Sequence, residues 1–103
     1  MKKIAEIIRE QREQKGLLLR EVAAKIEIDQ ALLSKIERGE RMPTKEQVIR
    51  FAKFYKIDQG DLLIAFLSDR LVYELLDEEM ALKAMQVAEK KITYLKKLKN
   101  DKQ

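Results

Sequence analysis

Gln30, Ser34 and Lys35 stand close together in the segment QALLSKIE, and they are the residues of this chain best placed to do recognition chemistry. Their amide, hydroxyl and ammonium groups can hydrogen-bond base edges in a DNA major groove: Gln bidentately to adenine, Lys to the acceptors of guanine, Ser to a base or a phosphate. Between them, Ala31 and Leu32 can offer methyl groups to thymine. Such side chains act together only if one face of a short helix presents them. That helix is expected from Gln30 to about Glu37, with Asp29 as its cap and Leu33 and Ile36 turned inward. A second helix, Leu19 to Ile26, precedes it across a short turn and turns Val22, Ala23 and Ile26 inward.

Composition argues against catalysis. The chain of 103 residues has no Cys and no His, which removes thiolate and imidazole metal ligands, disulfides and the commonest general base. Apart from Tyr, its hydroxyls are Ser34, Thr44, Ser68 and Thr93, none with a His to activate it. No enzyme activity and no cofactor are expected. No apolar run is long enough to span a bilayer, and the opening MKKIAEIIREQREQ is charged where a signal peptide would be apolar, so no membrane association and a cytoplasmic location are expected.

Charge is segregated along the chain. Residues 1–57 carry 14 basic and 9 acidic side chains, residues 58–80 carry 1 and 7, and residues 81–103 carry 7 and 2. A basic first part suits a surface that meets phosphates, and an acidic belt should face away from them.

The elements that must position the recognition face are all helical. Ile4, Ile7 and Ile8 mark a first helix from about Lys2 to Gln14, ended by Gly16 in a left-handed conformation. Thr44 with Gln47 forms a capping box that opens a fourth helix through Val48, Phe51, Ala52 and Phe54. Asp58 caps the next, whose run Leu62 to Leu67 is apolar on every side and must be covered on every side, by a partner or by the C-terminal part.

Aligned through Gly16, Ala23, Ile28, Ser34, Ile36, Glu37, Gly39 and Pro43 without a gap, the stretch from Ile4 to Leu67 resembles the phage-repressor-like, or xenobiotic-response-element (XRE), helix-turn-helix family. The resemblance implies an all-α fold: a five-helix DNA-binding domain over residues 1–67, with residues 68–103 as a helical extension. It implies that Ala23 lies where the two helices cross and that Ile28 plugs the core from the turn. It further implies an ion pair between Arg12 and Glu37, and phosphate contacts from Arg38, Gly39 and Arg41 after the recognition helix.

Two positions depart from the family pattern. Members open the second helix with a Ser or Thr cap followed by Gln, which together clamp a backbone phosphate; this chain has Leu18 and Leu19, leaving Arg20 as the available substitute. Where members place Gly in the turn, this chain has Glu27, which must adopt a left-handed conformation at a cost of about 1 kcal/mol.

Beyond residue 67, Asp77, Glu78 and Glu79 favour a helix start and the basic run from Lys96 to Lys102 its end. Within it Ala81, Met85, Ala88, Ile92 and Leu95 recur at spacings of four, three, four and three, forming an apolar seam. That seam can pair with a second copy, fold back on Leu71, Val72, Leu75 and Leu76, or do both. The expected dimer surface is Leu63, Phe66, Leu67, Met85, Ala88, Ile92 and Leu95. Taken with the resemblance, the chain is expected to bind a palindromic site on double-stranded DNA as a homodimer, as a repressor or autoregulator. The rival expectation is an interaction module, such as an antitoxin, whose C-terminal helices hold a toxin or a restriction-modification partner.

Overall fold

The computed structural model describes residues 1–101, so Lys102 of the basic run lies outside the described residues. Among them the chain forms six helices and no strand: α1 Ile4–Gln14, α2 Leu19–Ile26, α3 Gln30–Glu37, α4 Lys45–Tyr55, α5 Gln59–Leu75 and α6 Ala81–Asp101. They divide into two compact units, Met1–Arg70 and the chain from Leu71 onward. The all-helical expectation holds with one helix more than a five-helix domain. α5 does not stop at Leu67 but continues to Leu75.

In the first unit α3 packs on α1 and α2, and α2 packs on α4. Their buried faces meet in one core of Ile4, Ile8, Val22, Ala23, Ile26, Leu33, Ile36, Val48, Phe51, Ala52, Tyr55, Leu62 and Phe66. Ile28 in the turn is half-buried against it. Phe66 therefore departs from the expected dimer surface, because at 3% exposure it already fills the core of its own unit. Leu63 is half-buried against the same core. Leu62 and Phe66, one helical turn apart, supply the inner face of α5, and Ile64 and Leu67 point outward. The apolar run is thus sided.

Local signals set the helix ends. Gly16 closes α1 with φ +64°, and Thr44 opens α4 with both halves of a capping box: Gln47 N–H donates to Thr44 Oγ1 at 3.1 Å and Thr44 N–H to Gln47 Oε1 at 2.9 Å. Asp58 Oδ1 accepts from the Asp61 N–H at 2.9 Å. Glu27 is left-handed, φ 63° and ψ 47°, and Lys56 repeats this at the end of α4 with φ 55° and ψ 44°. Two ends differ from expectation. α1 begins at Ile4 rather than Lys2, and its first N–H donates to Asp69 Oδ2 at 2.8 Å, a cap supplied from α5. Asp29 stands at the cap of α3, but its side chain accepts no hydrogen bond there.

In the second unit α6 begins at Ala81, after a turn over the acidic residues. None of its residues is buried. The end of α5 and α6 border an open groove of about 570 Å³, lined by Leu71, Leu75, Met85, Ala88 and Ile92 among others.

Candidate nucleic-acid interface

The outer face of α3 is short because Leu33, Ile36 and Glu37 turn inward. Gln30, Ala31 and Lys35 remain exposed, and Leu32 and Ser34 are half-buried. Leu32 is a partial correction: it leans on the core, so little of its apolar surface can meet a thymine methyl. With no side-chain cap at Asp29, the first N–H groups of α3 remain open beside Gln30, where an anion is favoured by both the free donors and the helix dipole.

What fixes α3 is charge held beneath it. Arg12 Nε donates to both carboxylate oxygens of Glu37, at 3.0 and 2.8 Å, and Arg12 Nη1 donates to the Leu17 carbonyl at 3.0 Å. Glu37 is only 5% exposed. The hydrogen bond to Glu37 raises the Arg12 guanidinium above its already high pKa, so the guanidinium stays charged. Tyr55 faces the same pair; burial first, then the Glu37 charge, pushes its phenol above 10. Its hydroxyl has no hydrogen-bond partner among the described residues.

The turn before α3 is braced from outside the motif. Arg50 Nη1 of α4 donates to the carbonyl of Ile26, the last residue of α2, at 3.1 Å, and its Nη2 to Glu46 at 2.9 Å. Sequence periodicity missed Arg50, since an Arg on a helix flank gives no signal of a carbonyl 24 residues away.

At the end of α3 the basic residues part company. Gly39, φ +74°, donates its N–H to the Ile36 carbonyl at 3.0 Å, and Glu40 N–H returns to Lys35 at 2.9 Å, which closes the helix in a Schellman turn. The Gly39 amide is consequently unavailable to a phosphate, and its role is to permit the turn. Arg41 is exposed. Arg38 is exposed as well, but its Nη1 donates to Ser34 Oγ and its Nε to Glu40 Oε2, each at 2.5 Å.

At the start of α2, Leu18 provides no side-chain acceptor; its own N–H donates to Glu21 Oε1 at 3.0 Å. Only the Glu21 half of a capping box exists there. Arg20 is exposed one position into the helix after Leu19.

Two helices packed on each other, with Ala23 buried in the core, a left-handed turn at Glu27 and a second helix with an open polar face define a helix-turn-helix unit. Residues 8–58 match the helix-turn-helix family model, a DNA-binding domain of the XRE type. Among solved structures, a chain of the complex between the SinR protein and the SinI protein is similar at 21% identity and a TM-score of 0.54, covering 91% of this chain and 98% of that chain. That likeness concerns the fold. No curated protein matches the sequence. No helix among the described residues is long and apolar enough to cross a membrane.

Proposed function

We propose that the chain is a sequence-specific transcriptional regulator, a repressor or autoregulator of the cytoplasm, that binds a palindromic operator as a homodimer and catalyses no reaction. The observation that carries this reading is the outward face of α3, with Gln30 and Lys35 free in front of a buried Arg12–Glu37 anchor. Gln30 and Lys35 select bases, Ala31 supplies a methyl contact, and Arg20, Arg38 and Arg41 meet phosphates. One such helix discriminates weakly. Two copies on half-sites about one DNA turn apart multiply the discrimination.

The second unit supports self-association. Leu71 is 46% exposed and Ile92 54%, and every residue of the α6 seam lies outside a core. The stretch before α6 carries Glu74, Asp77, Glu78 and Glu79, whereas α6 carries Lys83, Lys90, Lys91, Lys96, Lys97 and Lys99. An α6 laid against the end of α5 of a second copy therefore buries apolar surface and pairs opposite charges. Selection of bound duplexes from random DNA, followed by sedimentation of the complex, tests this. A two-fold symmetric consensus bound by two chains is expected; an asymmetric site bound by one chain contradicts the dimer.

A protein-binding reading is favoured by one observation, the same open groove of the second unit, and it draws support from the neighbour being a complex of two different proteins. In it, α6 and the end of α5 hold a partner such as a toxin, and DNA binding is secondary, consistent with Leu18 at the lost phosphate clamp.

A further inference from the structure

Arg38 sits at the end of the recognition helix, yet its guanidinium is already engaged: Nε on Glu40 Oε2 and Nη1 on Ser34 Oγ, both at 2.5 Å. Glu40 is the one carboxylate in the run from Arg38 to Lys45, and the Schellman turn fixes its backbone beside Arg38. A phosphate that approaches Arg38 competes with this carboxylate for the guanidinium and meets its charge while doing so. The exchange is cheap where base contacts hold the chain in register and unrewarded where they do not. We infer that Glu40 is a specificity-determining residue that withholds Arg38 from arbitrary DNA and releases it only on a site whose bases engage α3.

This rests on the DNA-reading function proposed above. It is tested with the full-length Glu40→Gln variant, bound to a duplex of random sequence and to the selected site across a range of salt. Glu40 and Arg38 are both half-exposed, so the substitution disturbs no core. Freeing Arg38 adds one neutralised phosphate per protomer, so the slope of log affinity against log salt on random DNA should steepen by about 0.9 per protomer. Affinity for random DNA rises, and the ratio of selected to random binding falls. An unchanged or shallower slope overturns the inference, as does weaker binding, which would make Glu40 an organiser of Arg38 for contact. In an Arg38→Ala background the added Gln should leave the slope unchanged; a gain that persists there assigns Glu40 to general repulsion instead. A wild-type chain that binds neither duplex overturns the DNA-reading function itself, whereas wild-type binding with no effect of Glu40→Gln overturns this inference alone.

Discussion

Arg12 and Glu37, separated by 25 residues of chain, are joined by one guanidinium nitrogen that donates to both oxygens of the same carboxylate. The pair ties the last turn of α1 to the last turn of α3, so the recognition helix is anchored at the end away from its cap. Removing one partner leaves the other charge buried without compensation. Arg12→Ala should therefore cost about 3 kcal/mol of stability, and Arg12→Lys should recover only part of it because an ammonium cannot reproduce the guanidinium fork. Thermal unfolding of both variants measures this. A loss under about 0.5 kcal/mol for Arg12→Ala would place the pair with ordinary surface ion pairs.

Tyr55 gives the alkaline prediction. At 2% exposure, the folded chain holds its phenol proton to higher pH than the unfolded chain does, because burial and the Glu37 charge oppose the phenolate. The stability from this difference is complete below pH 10, the ordinary phenol value, and is lost as the pH rises past it. Tyr55→Phe should flatten the fall of melting temperature above pH 10, by roughly the share of one titrating group. At neutral pH the same change removes an unpartnered hydroxyl and should be neutral or stabilising by up to about 1 kcal/mol. A clear loss at neutral pH would mean that the hydroxyl is bonded in solution.

Glu27 holds φ 63° at the turn between α2 and α3. Glu27→Gly should raise stability by up to about 1 kcal/mol, through relief of the left-handed strain less the entropy that glycine adds to the unfolded chain. A lowered melting temperature would show that the entropy term wins.

The helices of the motif were legible because each rests on local signals. Val22, Ala23 and Ile26, then Leu33 and Ile36, give the inner faces, and Gly16, Thr44 and Asp58 give ends that the structure reproduces. What escaped the sequence is tertiary or depends on the rotamers of exposed charges. The Asp69 cap on Ile4, the Arg50 brace on Ile26 and the hold of Glu40 on Arg38 have no periodic signature. Phe66 counts among the expected dimer residues because a run of six apolar residues conceals which of them face inward; only the packed helix shows that Leu62 and Phe66 do. Lys56 adopts the same conformation as Glu27, and the preceding helix end at Tyr55 was its only local hint.

The assembly prediction follows from α6. Since none of its residues is buried in the chain, Ile92→Glu should leave the first unit folded while converting a dimer to a monomer at micromolar concentration, as read by sedimentation. The variant should keep its affinity for a single half-site and lose most of its affinity for the full palindrome. A truncation after Arg70 should behave alike, whereas a cut at Leu67 also removes the Asp69 cap and should cost stability. An Ile92→Glu chain that still sediments as a dimer would move the interface off the groove.

The central claim is that α3 reads bases and the residues after it hold phosphates. It is tested most directly by measuring, for Lys35→Ala and Arg41→Ala, affinity for the selected site and for every single-base variant of it across two salt concentrations. Lys35→Ala should cost about 1–3 kcal/mol on the preferred site and flatten the preference at the position it contacts. Arg41→Ala should weaken all sites alike and reduce the salt slope by about 1 per protomer. A Lys35→Ala chain with the preference of the wild type at every position would contradict the placement of the recognition face on α3.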